Sequence, residues 1–193
     1  MKGRRLFVVA SCASVPAILV GACSLSPSRP PPTLYDFGPA TGSTAPAGAP
    51  ATIRVQAPPW LDGGGIVYRL EYRDAAEIAT YRDSRWAAPP AELLAERMRQ
   101  QAARGSRAPQ ATSLRIDVEE FCQAFSTPER SRAVVRVRAA LADAVSGRLL
   151  RERTFTAEVD AESADAAGGA HALALAAREM VDSLLSWAGA ASN

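Results

Sequence analysis

From Leu114 to Leu141 the chain alternates apolar and charged residues with a period of two, and no other stretch limits the fold as much. Leu114, Ile116 and Val118 alternate with Arg115, Asp117 and Glu119, so an extended chain buries one face here and wets the other. Phe121-Cys122-Gln123-Ala124-Phe125 continues the strand, and a bulge around Glu119-Glu120 changes which side points inward. Ser126 to Arg130 makes a turn. Val135, Val137, Ala139 and Leu141 then alternate with Arg136 and Arg138, which in an antiparallel pair sit across from Asp117 or Glu119. After a second turn at 143–147, residues 148–159 read as a third strand with weaker alternation, placed at an edge.

The flanking segments follow from the same kind of reading. Thr33–Phe37, Ile53–Gln56, Ile66–Arg69 and Glu77–Tyr81 have the composition of short strands joined by tight turns. Residues 90–104 form a first helix, with Pro90 in its first turn, Leu94, Met98 and Ala102 along one face, and Gly105 at its end. From about Asp165 a second helix repeats Leu173, Ala177, Met180, Leu184 and Trp187, while Gly168 and Gly169 weaken its first turns. Short strands, a helix, three antiparallel strands and a closing helix imply an α+β fold: a mostly antiparallel sheet with two helices packed on one face.

The first 22 residues belong to targeting. Lys2, Arg4 and Arg5, an apolar run from Leu6 to Val20 and the small residues Gly21-Ala22 have the layout of a secretory signal peptide. Small residues directly before Cys23 resemble the lipobox of bacterial lipoproteins, which implies a lipidated Cys23 and a chain held by acyl groups. Ser24 behind the cysteine implies, on the same resemblance, sorting to the outer membrane at its periplasmic face. Residues 23–33 are a Pro-rich tether that reaches about 30 Å at roughly 3.1 Å per residue. A single domain over 34–193, with a flexible loop at 38–51, completes the expected organisation.

Charge and cysteine content exclude several classes of function. The whole chain has 22 cationic and 20 acidic side chains. Removal of Lys2, Arg4 and Arg5 with the leader leaves the mature chain almost neutral, without a nucleic-acid footprint. Of the three cysteines, Cys12 leaves with the leader and Cys23 takes lipid, so Cys122 stands alone and no intramolecular disulfide forms. Its apolar neighbours place it in the core. His171 is the single histidine. No Gly-x-Ser-x-Gly elbow, phosphate loop, zinc ligand set or calcium loop accompanies it. The expectation is a chain with no catalytic residues, no metal and no cofactor, and so not an enzyme. The aromatics of the first half read mainly as core, with exposed interface anchors and a lipid cavity as the alternatives. The Asp62-Gly63-Gly64-Gly65 loop and Tyr81-Arg82-Asp83-Ser84-Arg85 are the candidate partner surface, with Trp60, Asp62, Tyr81, Arg85 and Trp86 as its residues.

An ordered series of short motifs resembles the ABC-type transport auxiliary lipoproteins, also described as PqiC-like subunits of membrane-integrity transporters. It comprises Tyr35-Asp36-Phe37, Pro58-Pro59-Trp60-Leu61-Asp62, Ile66-Val67-Tyr68-Arg69, Arg85-Trp86-Ala87-Ala88-Pro89, Phe121-Cys122-Gln123-Ala124-Phe125, Gly147-Arg148-Leu149-Leu150, Phe155 and the helix ending near Trp187. The glycine triplet after Asp62 and Gly38 depart from the family pattern. The resemblance implies a non-catalytic outer-membrane subunit of a lipid transport system across the periplasm. Its implied partners are an MCE-domain protein and an inner-membrane ABC permease and ATPase. The competing reading is a structural envelope lipoprotein that assists the assembly or stability of another outer-membrane complex. Whether the chain forms a homo-oligomer stays open at this point.

Overall fold

The computed structural model describes residues 30–39, 48–105 and 110–190. The expected leader, Cys23, the start of the tether and residues 40–47 of the expected loop lie outside the described residues. Pro31–Asn193 forms one compact unit. Its elements run β1 (Thr33–Tyr35), β2 (Pro50–Gln56), β3 (Gly65–Leu70), β4 (Asp74–Trp86), α1 (Pro90–Ala103), β5 (Gln110–Thr127), β6 (Arg130–Asp143), β7 (Leu149–Asp160) and α2 (Ala166–Gly189). A one-turn 3-10 helix at Pro59–Leu61 separates β2 from β3.

The expected α+β class is observed, but the sheet is mixed rather than mostly antiparallel. Strand order is β1-β4-β3-β5-β6-β7, with β2 paired to β5 as well. β1 with β4, β2 with β5 and β3 with β5 run parallel; β3–β4, β5–β6 and β6–β7 run antiparallel. The reason lies in the length of β5. Its 18 residues span about 60 Å at roughly 3.3 Å each, so one edge accommodates β2 against its first half and β3 against its second. The 3-10 turn carries the chain onward between β2 and β3 without reversing it. Both strands therefore enter in the direction of β5, where the turn residues alone suggested hairpins.

The central hairpin follows the sequence pattern closely. Register shifts between Val118 and Glu120, so Leu114, Ile116 and Val118 before the bulge and Phe121 after it all sit on the helix side. Across from them Val135, Val137, Ala139 and Leu141 are fully buried. α2 lies over β5, β6 and β7, and α1 lies beside it against β2. The side-chain amide of Gln101 on α1 donates to the Asp182 carboxylate on α2. The apolar stripe of α2 is Ala-rich: Ala170, Ala176, Ala177 and Ala188 are buried between the larger Leu173, Met180, Leu184 and Leu185. Small side chains let the helix axis approach the strands closely.

Gly168 and Gly169 are the extreme of that approach. A Cβ on Gly169 meets the Gln123 side-chain oxygen at 1.9 Å, and one on Gly168 meets the Ser163 carbonyl at 2.3 Å. The two glycines that weaken the helix by propensity are thus required where it docks. Asp165 offsets part of that weakness by capping the helix, its carboxylate accepting the Gly168 N–H at 2.9 Å.

Candidate functional site

Three places on the domain combine unusual polarity with shape. The first is a cleft of about 500 Å³ between the edge strand β1 and α2, lined by Leu34, Tyr35, Phe37, His171, Leu175 and Arg178 among others. Arg97 on α1 holds the outer wall in place. Its guanidinium is buried and donates to the carbonyls of Phe37 at 2.8 Å, of Pro39 at 3.2 Å and of Gly38. His171 lies edge-to-face with Tyr35, ring centroids 6.0 Å apart. Leu34 is 63% exposed and Leu175 43% exposed, while Asp36, Asp160, Glu162 and Arg178 line the same cleft, so its lining is mixed. Nothing in the cleft pairs His171 with a nucleophile, and among the described residues no cluster of three metal-ligating side chains occurs.

The second is a corner built from the glycine triplet and the end of β4. The Arg85 guanidinium donates to the Gly63 carbonyl at 3.0 Å and the Trp86 N–H donates to the Gly64 carbonyl at 2.7 Å. Gly64 has φ of 66°, the left-handed conformation that a side chain resists, so this turn needs a glycine. Asp62 and Arg85 are exposed there, and Trp60 is half-buried with its ring against the core. Trp86 must be removed from the expected partner surface. It is 3% exposed because its ring stands between Phe37 and Phe121 at 5.6 and 5.7 Å in two edge-to-face contacts. Tyr81 is separated from the corner and points its hydroxyl inward.

The third is the polar junction that Tyr81 joins. Its hydroxyl donates to Gln123 Oε1 at 2.9 Å, and Gln123 Nε2 donates to Ser131 Oγ at 2.7 Å. Gln123 is fully buried, so both of its bonds are needed. Burial pushes the Tyr81 phenol well above its usual range, helped by Tyr68 and Asp165. This junction fixes where Gly169 seats. The sequence reading missed the exposed leucine at 175, although the signal was present: it lies two residues past Leu173, off the apolar stripe.

The opposite face of the sheet is charged and open. Arg132 joins Glu71 at 3.0 Å and Glu158 at 3.2 Å, and Glu120 lies 3.7 Å from Arg69 and 3.5 Å from Arg136. Arg138 spans Asp117 and Glu119, each at 3.9 Å, while Arg136 faces Glu120 rather than the two expected carboxylates. Cys122, the one cysteine among the described residues, is buried beneath this network, as expected. Desolvation, with Glu120 beside it, pushes its thiol up to about 12, so the protonated, unreactive form dominates.

Comparison with known proteins identifies the domain. The model of the ABC-type transport auxiliary lipoprotein component matches residues 35–184. The chain belongs to that family. A crystal structure of a Xanthomonas campestris protein from the DUF330 family shares the fold, with a TM-score of 0.70 and 22% identity over 82% of this chain and 95% of that one. A second solved structure, of an uncharacterized protein, gives a TM-score of 0.56 and 16% identity over 82% and 97% of the two chains. No curated protein matches the chain. As a member of the auxiliary lipoprotein family the protein is a membrane-associated component of the cell envelope that accompanies an ABC transport system. The described residues contain no helix long and apolar enough to cross a membrane.

Proposed function

We propose that the protein is a non-catalytic lipoprotein subunit, anchored through acylated Cys23 at the periplasmic face of the outer membrane, in an ABC-driven lipid transport system. An MCE-domain protein supplies the conduit across the periplasm, and an inner-membrane permease and ATPase supply the energy. The observation that carries this reading is the family match over residues 35–184, joined to a lipobox-like sequence that ends at Cys23. The corner of Trp60, Asp62 and Arg85 is the proposed partner contact, because it sets a half-buried aromatic and two exposed side chains of opposite charge on a turn fixed by backbone hydrogen bonds. Transport then avoids exposing acyl chains to water.

The test is affinity purification of the tagged, membrane-extracted protein after crosslinking, with intact-mass measurement of its amino terminus. Recovery of an MCE protein, its loss in Trp60→Ala and Arg85→Glu, and a triacylated Cys23 are the expected results. Consistent recovery of cell-wall or secretion proteins without any transport component supports the assembly-factor reading instead. An unmodified amino terminus removes the outer-membrane placement.

A further inference from the structure

The end of the sheet where β2 and β5 begin and β6 turns into β7 has features that folding does not require. Val145, at the tip of the β6–β7 turn, is 91% exposed, and Leu149 and Leu150 behind it are 55% and 37% exposed. The turn is rigid: the Asp143 carboxylate accepts the N–H groups of Val145 and Ser146 at 3.1 and 2.7 Å and the Ser146 hydroxyl at 2.8 Å. Apolar side chains on such a tip are presented to the surroundings and cannot fold back onto the core.

Beside the tip, the outer face of the β2–β5 pair is arranged in matched rows. Thr52 lies opposite Ser113, and Arg54 lies opposite Arg115. Like charges directly opposite each other on a sheet repel. Arg115 has Asp117 at 3.6 Å, but that carboxylate also serves Gln56 and Arg138. Among the described residues no carboxylate pairs with Arg54. The two hydroxyls, the two guanidiniums and an apolar floor of Ala140, Ala142 and Leu149 line one shallow cleft of about 400 Å³. Arg148 is exposed at the same tip. Asp143 is held inside its turn, and Glu152 lies 3.9 Å from Arg138, so the nearby acids are already engaged.

We infer that this end of the sheet is a membrane-contact surface: Val145, Leu149 and Leu150 enter the headgroup boundary of a bilayer while Arg54, Arg115 and Arg148 bind the phosphodiesters of anionic phospholipids. Guanidiniums bind phosphate in a fork geometry that suits two oxygens at once, and the flanking hydroxyls supply further donors. Apolar side chains rimmed by arginine are the composition of an interfacial anchor. The Pro-rich tether from Cys23 keeps a bilayer within about 30 Å of the domain, so contact requires only that the domain tip over. The inference takes its bilayer from the lipid anchor of the proposed function and is independent of lipid transport.

The test uses the mature chain, residues 23–193, carrying Cys23→Ser and therefore no acyl groups, with vesicles of phosphatidylcholine alone or mixed with phosphatidylglycerol. The expected result is co-sedimentation with the mixed vesicles and little with phosphatidylcholine. Arg54→Ser/Arg115→Ser weakens it about 30-fold, and Val145→Asp/Leu149→Asp weakens it at least about tenfold. Arg73→Ser/Arg82→Ser, with the same loss of charge elsewhere, changes it less than about twofold. An environment-sensitive fluorophore on Val145→Cys shifts to the blue with mixed vesicles; buried Cys122 does not take the label. Circular dichroism confirms that the variants fold. Equal binding by wild type and both site variants, equal loss in the Arg73/Arg82 control, displacement by millimolar inorganic phosphate, or an unshifted fluorophore each overturns the inference.

Discussion

The two faces of the β5–β6–β7 sheet are built from the same strands and carry opposite kinds of information. On the helix side, Phe121 is buried against Phe37 and Trp86, with Phe37 stacked at 5.9 Å and inclined by 29°, and Leu173, Met180 and Leu184 close over the strands. On the other side, ion pairs at 3.0 to 3.9 Å stay partly in water. Burial of apolar area scales with what is removed from solvent, whereas exposed ion pairs lose most of their Coulombic gain to hydration and side-chain entropy. The difference teaches that the helix face holds the fold, while the charged face is free to be shaped by what the domain meets.

Substitutions should separate the faces by size of effect. Phe121→Ala removes a ring that is 1% exposed and is expected to lower unfolding free energy by about 4 kcal/mol, measured by urea titration. Gly169→Ala places a methyl against the Gln123 amide. It should cost about 2 to 3 kcal/mol by overpacking, even though alanine favours helix, and a stabilised protein would refute the docking geometry.

Asp165 tests the helix from its N-terminus. The Gly168 N–H, then the Ser163 hydroxyl, hold its carboxyl below the usual range. A depressed folded pKa contributes stability that is fully present above the unfolded value near 4 and lost as pH falls through the folded pKa. Asp165→Ala should cost about 1 kcal/mol at pH 7, and the gap to wild type should narrow as pH falls below about 4. Thermal melts across that range check it. A gap that is flat with pH would assign the cap to geometry alone.

The smallest effect belongs to the outer face. Arg138→Ala removes contacts to Asp117, Glu119 and Glu152 but should change stability by less than about 0.5 kcal/mol, less still in high salt. A loss comparable to that of Phe121→Ala would erase the contrast between the faces.

Much of this was legible in residue order. Apolar alternation located the central strands, and the parity change from Val118 to Phe121 announced the bulge. A stripe at helical spacing located α2, and Pro90 with Leu94 and Met98 located α1. The candidate surface was less legible because an aromatic side chain reads alike whether it is an anchor or core. Trp86 is core because β1 brings Tyr35 level with it and the following Phe37 against its ring. Exposed leucines at 34, 149 and 175 have the opposite history, since pattern alone assigns them to buried faces or ignores them.

Sequence by itself determined the local periods and set small residues directly before Cys23, because each depends on neighbours within a few residues. Strand direction and the meeting of Gly169 with Gln123 depended on tertiary structure. A strand's period is the same whichever way it runs, and only the length of β5 and the step at Pro59–Leu61 set β2 and β3 parallel to it. Likewise the value of a glycine at 169 comes from a side chain 46 residues earlier in the chain, a proximity that no local pattern encodes.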